Sequence, residues 1–286
     1  MTTEAAIEVE ELRKDYGEFH AVRGISFSVR RGEVYGLLGP NGAGKTTTVE
    51  ILEGYRERSA GRVAVLGMDP GPRPIALRER IGIVLQSSGL YRHLTVHEAV
   101  SHWAGFYRAP RDVEETIALS GLEAAGGQRT ITLSGGQQRR LDLALALIGD
   151  PELVFLDEPT TGFDPAARRQ AWDTVRSLKE LGKTVLLTTH YLDEAQALAD
   201  RVAIIKDGAI LAEGAPRELG TAVQSYRVTW RDGAGAAHER VTDDPTALLH
   251  ELTGAALARG DRLHELSVAQ PSLEDVYLEL TAEAAQ

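Results

Sequence analysis

The sequence predicts an α/β protein, and three observations carry that expectation. A glycine-rich stretch, Gly39-Pro40-Asn41-Gly42-Ala43-Gly44-Lys45-Thr46-Thr47, fits the phosphate-binding pattern G-x-x-x-x-G-K-[ST] and follows the apolar run Val34-Tyr35-Gly36-Leu37-Leu38. Strand, loop and helix therefore come in the order that pattern requires. Further short apolar runs, Ile81-Gly82-Ile83-Val84-Leu85, Leu153-Val154-Phe155-Leu156 and Thr184-Val185-Leu186-Leu187-Thr188-Thr189, have the length and continuity of buried strands. Between them lie longer stretches with helical spacing and helix-start signals.

Composition sets the bounds. The chain has 286 residues, 43% hydrophobic and 26% charged, which is room for one large domain and a small one. It contains no cysteine, so disulfides and thiolate metal sites are excluded. A net charge of -11 argues against broad binding to nucleic acid or anionic lipid, which depends on clustered cations. No aliphatic run approaches the ~20 apolar residues that span a bilayer, and the chain is expected to be soluble and intracellular unless a partner holds it at a membrane.

In order, Ile7-Glu8-Val9-Glu10 and Ile25-Ser26-Phe27-Ser28-Val29 alternate as half-buried strands do. Tyr16, between them, has a ring that could stack on a purine, but on the residues alone it reads as an ordinary core or surface tyrosine. After the loop, Thr46 to Leu52 is expected to be helix, Arg62 to Leu66 a strand ended by Gly67, and Pro70 to Pro74 a loop. From Leu94 to about Gly126 the pattern turns helical, with Thr95-x-x-Glu98 and Asp112-x-x-Glu115 read as capping boxes. His93, His97 and His102 invite a metal reading, but a helix capped at Thr95 leaves His93 outside it, so one-face ligation fails.

The chemistry-bearing residues cluster at element ends. Glycines 39, 42 and 44 let successive N–H groups aim inward at a helix N-terminus, a cradle for polyphosphate. Lys45 reaches the outer phosphates and Thr46 is placed to ligate Mg²⁺. Gln86, at the tip of the Ile81 strand, has an amide that can contact Mg²⁺ or an attacking water. Leu133-Ser134-Gly135-Gly136-Gln137 opens a helix with a hydroxyl and two unobstructed amides, a second anion site. One nucleotide hardly needs both cradles in one subunit, so the second is expected to serve another copy. The Leu153 run, read as a strand through Glu158, ends in two carboxylates: Asp157 to hold Mg²⁺ and Glu158 to deprotonate water. Thr161-Gly162-Phe163-Asp164-Pro165 is a turn into a helix reaching Leu181. The Thr184 strand delivers His190, expected to donate to the γ-phosphate.

The remainder reads as a hairpin over Arg201 to Ile210 closing the main domain near Leu219, then a small α+β appendage. Its expected elements are strands at Tyr226 to Trp230 and His238 to Val241, a helix from Pro245 to Ala258, a strand at Leu266 to Val268 and a last helix from Ser272 to Leu280. From Thr221 onward it holds 11 acids against 5 arginines and no lysine, with no catalytic constellation.

In identity, order and spacing, the glycine loop, Gln86, Leu133-Ser134-Gly135-Gly136-Gln137, Asp157-Glu158 and His190 resemble the ATP-binding cassette (ABC) ATPase family. The resemblance implies an ATPase domain over residues 1–220, with a RecA-like phosphate-loop lobe and a helical lobe at about 94–148, followed by an accessory domain over 221–286. It also implies head-to-tail dimerisation around two ATP molecules. Carried over by position, Tyr16 resembles the adenine-stacking aromatic, and Gly39, Pro40, Asn41, Gly42, Ala43, Gly44, Lys45, Thr46 and Thr47 the phosphate cradle. Ser134, Gly135, Gly136 and Gln137 resemble the signature that meets the partner's γ-phosphate, and Asp164 the aspartate communicating between sites. Lys45, Gln86, Glu158 and His190 would be catalytic, with Thr46, Gln86 and Asp157 around Mg²⁺. Phe163 departs from the more usual leucine, a change expected to alter packing and not chemistry.

Glu53-Gly54-Tyr55, Val65-Leu66-Gly67 and Pro271-Ser272-Leu273-Glu274-Asp275-Val276-Tyr277-Leu278 resemble more narrowly the cassettes of bacterial daunorubicin-resistance exporters. That likeness implies an ATP-hydrolysing subunit at the cytoplasmic face of the membrane, held there by a separate permease and not by nucleic acid. The alternative expectation is an ATP-gated cassette that regulates or scaffolds a membrane complex without transport.

Overall fold

The computed structural model describes residues 5–84, 93–222 and 226–269, together with Leu273, Glu274 and Tyr277. Two compact units emerge, Met1–Glu213 and Gly214–Gln286. In the first, β1 (Ala5–Tyr16) and β2 (Phe19–Arg30) form a hairpin, and β3 (Val34–Leu38) leads through the glycine loop into α1 (Lys45–Leu52). There follow β4 (Ala60–Val65), α2 (Ile75–Arg78), β5 (Ile81–Val84), α3 (Val96–Ala104), α4 (Val113–Leu119), α5 (Gly135–Leu147), β6 (Leu153–Asp157), α6 (Pro165–Glu180), β7 (Thr184–Thr189), α7 (Leu192–Leu198), β8 (Arg201–Lys206) and β9 (Ala209–Gly214).

The central sheet has the order β5-β6-β7-β3-β8-β9, and its pairings from β5 through β8 are parallel. Period-2 alternation sends successive side chains to opposite faces, and both faces are packed. Tyr35, Leu37, Leu153, Phe155, Leu186, Ala203 and Ile205 join one core with Leu52 of α1 and residues of β1, β2 and β4. Val34, Val154, Leu156, Val185 and Leu187 join the other, with Leu147 of α5, Val175 and Leu178 of α6 and Leu198 of α7. Double-sided burial explains why these strands read as unbroken apolar runs. Phe155, fully buried, would cost about 3–5 kcal/mol if cut back to alanine.

A smaller antiparallel sheet, β2-β1-β4, packs on the first face. Its two long strands exceed the short alternating segments that the sequence suggests. Pairing continues through the polar residues Arg13 to Asp15, with register shifts after Val9 and Lys14, to the tip where Tyr16 pairs with Phe19.

In the helical lobe, α3, α4 and α5 bury Val96, Val100, Ile117, Leu141 and Ala144 around one another. Thr95 forms the expected reciprocal capping box with Glu98, and the Asp112 side chain accepts from Glu115 N at 2.9 Å. The lobe's histidines have other uses: His97 pairs with Glu114 at 2.9 Å, and His102 packs edge-on against Phe106.

The second unit contains α8 (Pro216–Ala222), β10 (Tyr226–Arg231), β11 (Ala237–Thr242), α9 (Pro245–Ala258) and β12 (His264–Ala269). β10 lies between β11 and β12 in an antiparallel sheet. Val228 and Trp230 of β10 pack with Leu248 of α9, and Asp244 caps that helix by accepting from Ala247 N. The expected last helix, Ser272 to Leu280, falls for the most part outside the described residues. No helix among the described residues is long and apolar enough to cross a membrane.

Candidate nucleotide-binding site

Three neighbouring strands of the parallel sheet end at one place. β6 delivers Asp157 and Glu158, β7 delivers His190, and β3 delivers the glycine loop, with β7 lying between the other two. The carboxyl ends of strands in an open α/β sheet are where such folds build their ligand crevices.

The loop's conformation depends on glycine at the positions where a side chain cannot fit. Gly44 has φ 102° and a Cβ there would lie 2.6 Å from the Ala21 carbonyl. A Cβ on Gly39 would come within 2.1 Å of the Ile205 carbonyl. Gly39 N donates to Thr189 O at 3.2 Å and Gly208 N to Ala43 O at 3.1 Å, which ties the loop to β7 and to the β8–β9 turn.

Lys45 opens α1 and is only 4% exposed. Its Nζ donates to the carbonyls of Gly39 and Pro40 at 2.8 and 3.1 Å and lies 3.4 Å from Glu158 Oε1. Burial pulls the ammonium below its usual range, with Glu158 and Asp157 opposing that pull. A cation already stripped of water and held at the loop's centre is suited to receive phosphate oxygens.

Glu158 departs from the expected strand: β6 stops at Asp157, and Glu158 has φ 46°. A left-handed conformation costs a non-glycine residue about 1–3 kcal/mol, and such strain gathers at functional sites. Here Glu158 N donates to Thr188 Oγ1 at 3.0 Å, and that hydroxyl donates to Asp157 Oδ1 at 2.6 Å. Turning the backbone separates the two carboxylates. Burial raises the Glu158 carboxyl, but Thr161, Lys45 and His190 outweigh it and hold the group below its usual range. The Thr161 hydroxyl lies 3.0 Å from Glu158 Oε2 and His190 Nδ1 lies 3.4 Å from the same oxygen.

A cleft of about 410 Å³ opens over these groups, lined by Tyr16, Phe19, Gly42, Lys45, Thr46 and Glu158 among others. Asn41, Gly44 and Thr47 also line it, whereas residues 134–137 do not. Phe19 was not anticipated. Its signal was the spacing Tyr16-Gly17-Glu18-Phe19, a two-residue turn that brings two aromatics to one hairpin tip. Tyr16 is 41% and Phe19 61% exposed, and Lys14 Nζ lies 5.1 Å from the Tyr16 ring centroid. Thr161 and Thr188 were also missed, since threonines within a turn or strand carry no mark of their partners.

The oxygen donors suit a phosphate-borne divalent ion. Thr46 stands in the first turn of α1 and Asp157 ends the adjoining strand, while no group of three His, Cys, Asp or Glu among the described residues could cage a metal. Few protein ligands plus phosphate and water is the manner of Mg²⁺. Gln86, expected beside that ion, lies outside the described residues.

The second cradle stands apart at the start of α5. Ser134 caps the helix, its Oγ accepting from Gln137 N at 3.3 Å while Gln137 Oε1 accepts from Ser134 N at 2.9 Å. A Cβ on Gly135 or Gly136 would meet nothing within 4 Å, so the turn presents open backbone to its surroundings. Asp164 caps α6, with Oδ1 accepting from both Ala166 N and Ala167 N at 2.8 Å.

The profile of the ABC transporter family matches residues 22–161. The chain is 38% identical over 304 residues to the Nod factor export ATP-binding protein I of Rhizobium sp. (strain N33), covering 98% of each. It is 40% identical over 311 residues to the daunorubicin/doxorubicin resistance ATP-binding protein DrrA of Streptomyces peucetius, covering 98% of this chain and 93% of that one. Among solved structures, an ATP-binding cassette in a dimeric post-hydrolysis state with ADP and Pi superposes with a TM-score of 0.65 at 26% identity, covering 73% of this chain and 98% of the other.

Proposed function

Because this chain belongs to the ABC transporter family of ATP-binding proteins, we propose that it is the ATP-hydrolysing subunit of an exporter and that a separate membrane permease carries its cargo. The observation that carries the reading is the convergence of Lys45 and His190 on Glu158, each 3.4 Å from one of its carboxylate oxygens, at the end of three adjoining strands. ATP is bound with its polyphosphate in the glycine loop and its base against the aromatic tip of Tyr16 and Phe19. Mg²⁺, held by Thr46 and Asp157, would supply charge neutralisation at the phosphates.

Glu158 orients and deprotonates the attacking water, and its lowered range keeps it ionised for that task. His190 donates to the γ-phosphate and registers its loss. Ser134 and Gly136 cover the phosphates of a second copy, because they do not line their own subunit's cleft. Two copies thus close on ATP and reopen after hydrolysis. Shifting such an equilibrium from 1:99 to 99:1 takes about 5.5 kcal/mol of differential binding. The permease then alternates between its inward-open and outward-open states, with this subunit at the cytoplasmic side of the membrane.

The cargo class is that suggested by the name of the drug-resistance relative, a drug or antibiotic. ATP-dependent export from inverted vesicles that contain the purified chain and the candidate permease tests the reading. Export that needs Lys45 and Glu158 supports it, and ATP hydrolysis with no movement of any cargo favours the regulatory alternative.

A further inference from the structure

Among the described residues Glu158 is the acidic neighbour of His190, at 3.4 Å, and that distance is too long to fix a ring by itself. Its orientation has a second source. The Tyr191 ring lies against the imidazole, with centroids 4.0 Å apart and planes at 40°. Tyr191 is itself fixed at its backbone, where its N donates to Thr189 Oγ1 at 2.9 Å. The Arg168 guanidinium lies 4.5 Å from the Tyr191 ring centroid and pairs with Asp193 at 3.0 Å. Arg168 stands one turn into α6, the helix that Asp164 caps. Glu158, His190, Tyr191 and Arg168 therefore form one continuous run from the carboxylate to the first turn of α6.

We propose that Tyr191 is a positioning residue for His190, its ring braced by Arg168 so that the imidazole faces Glu158 and the transferred phosphate. This rests on the reading that His190 acts at the γ-phosphate. Tyr191 touches no reacting atom; it limits the imidazole to the productive orientation. Through Arg168, a displacement at the start of α6 reaches His190 without passing through the glycine loop. The contact is made by the ring face, so the hydroxyl of Tyr191 is dispensable.

The test is steady-state ATP hydrolysis by the full-length chain with Mg²⁺ over a range of ATP concentrations, alongside thermal unfolding of each variant. Tyr191→Ala is expected to lower kcat about 5- to 10-fold, the equivalent of one aromatic contact, with KM for ATP changed less than twofold. Tyr191→Phe should recover at least half of the lost rate. In a His190→Ala background, Tyr191→Ala should change nothing further, because two residues acting as a unit do not add. An undiminished kcat for Tyr191→Ala, an equal loss in Tyr191→Phe, or an additive double variant overturns the inference. Should Tyr191→Ala fail to fold, Arg168→Gln takes its place, with a smaller kcat loss that must likewise vanish in the His190→Ala background. Full activity in His190→Ala alone would instead overturn the underlying reading of His190.

Discussion

Lys45 Nζ and Glu158 Oε1 lie 3.4 Å apart, although one residue opens α1 and the other follows β6, and Lys45 is almost wholly buried. One ammonium is thus shared among two loop carbonyls and the carboxylate of the proposed base. Lys45→Ala removes the charged donor and should weaken ATP binding about 10- to 100-fold, the range for one charged hydrogen bond of ~1.5–3 kcal/mol. Titration with a fluorescent ATP analogue measures it, and an unchanged affinity would take Lys45 out of the phosphate site.

Glu158→Gln keeps the size of the side chain while removing its basicity. Turnover should fall by about 10² to 10⁴, yet ATP should still bind and a dimer should accumulate. Light scattering coupled to size exclusion, with and without ATP, reads the second outcome. Hydrolysis at the normal rate would remove the general-base role.

Gly136→Ala separates folding from assembly. An added Cβ meets nothing within 4 Å of its own chain, and alanine is favoured over glycine inside a helix by ~1 kcal/mol. The variant should therefore melt no lower than the parent. If the backbone at Gly136 approaches another copy's phosphates, the same methyl should cut ATP-driven dimerisation and turnover at least tenfold. A stable and fully active Gly136→Ala would place the second cradle elsewhere than at the nucleotide.

Glu53 supplies a pH dependence. Burial, together with Asp157 and Glu50, raises its carboxyl from 4.5 to about 8. The folded chain therefore holds a proton there that the unfolded chain has released. Stability from this group is fully present below about pH 4.5 and is lost as pH rises through about 8. The loss is on the order of a few kcal/mol. Glu53→Gln should raise the melting temperature at pH 8.5 relative to the parent and change it little at pH 5. Parallel melting curves at both pH values would refute this.

The legible parts of this fold were those written in local sequence. Both faces of the central sheet are covered, so β3, β6 and β7 read as plain apolar runs, and the caps at Thr95, Asp112 and Ser134, with Pro165 after the Thr161 turn, announced their helices. The glycine loop was legible because Gly39 and Gly44 exclude any side chain. What stayed hidden depends on distant partners. Nothing local in Glu158 tells that it turns out of the strand, since the hydroxyl that holds its N–H comes from Thr188. Nor does the antiparallel alternation of β1 extend to Asp15; the strand is prolonged by pairing with β2, and this brings Phe19 opposite Tyr16. Glu194 is the plainest omission. It is completely buried, accepting from Thr160 and Trp172 at 2.8 and 3.2 Å, whereas its sequence setting, Asp193-Glu194, looks like a solvated helix start.

Where the first unit ends, its last residue is fastened. Glu213 accepts from the buried Tyr35 hydroxyl at 2.9 Å and pairs with Arg201, which also reaches Glu33 at 3.1 Å. Tyr35 is the second residue of the strand whose far end becomes the glycine loop. A cut a few residues before Glu213 would leave the Tyr35 phenol without this acceptor and Arg201 with Glu33 and the Ser28 carbonyl alone. Any shortened version of the catalytic half must therefore retain Glu213, or the strand that leads into the glycine loop loses the acceptor that anchors its phenol.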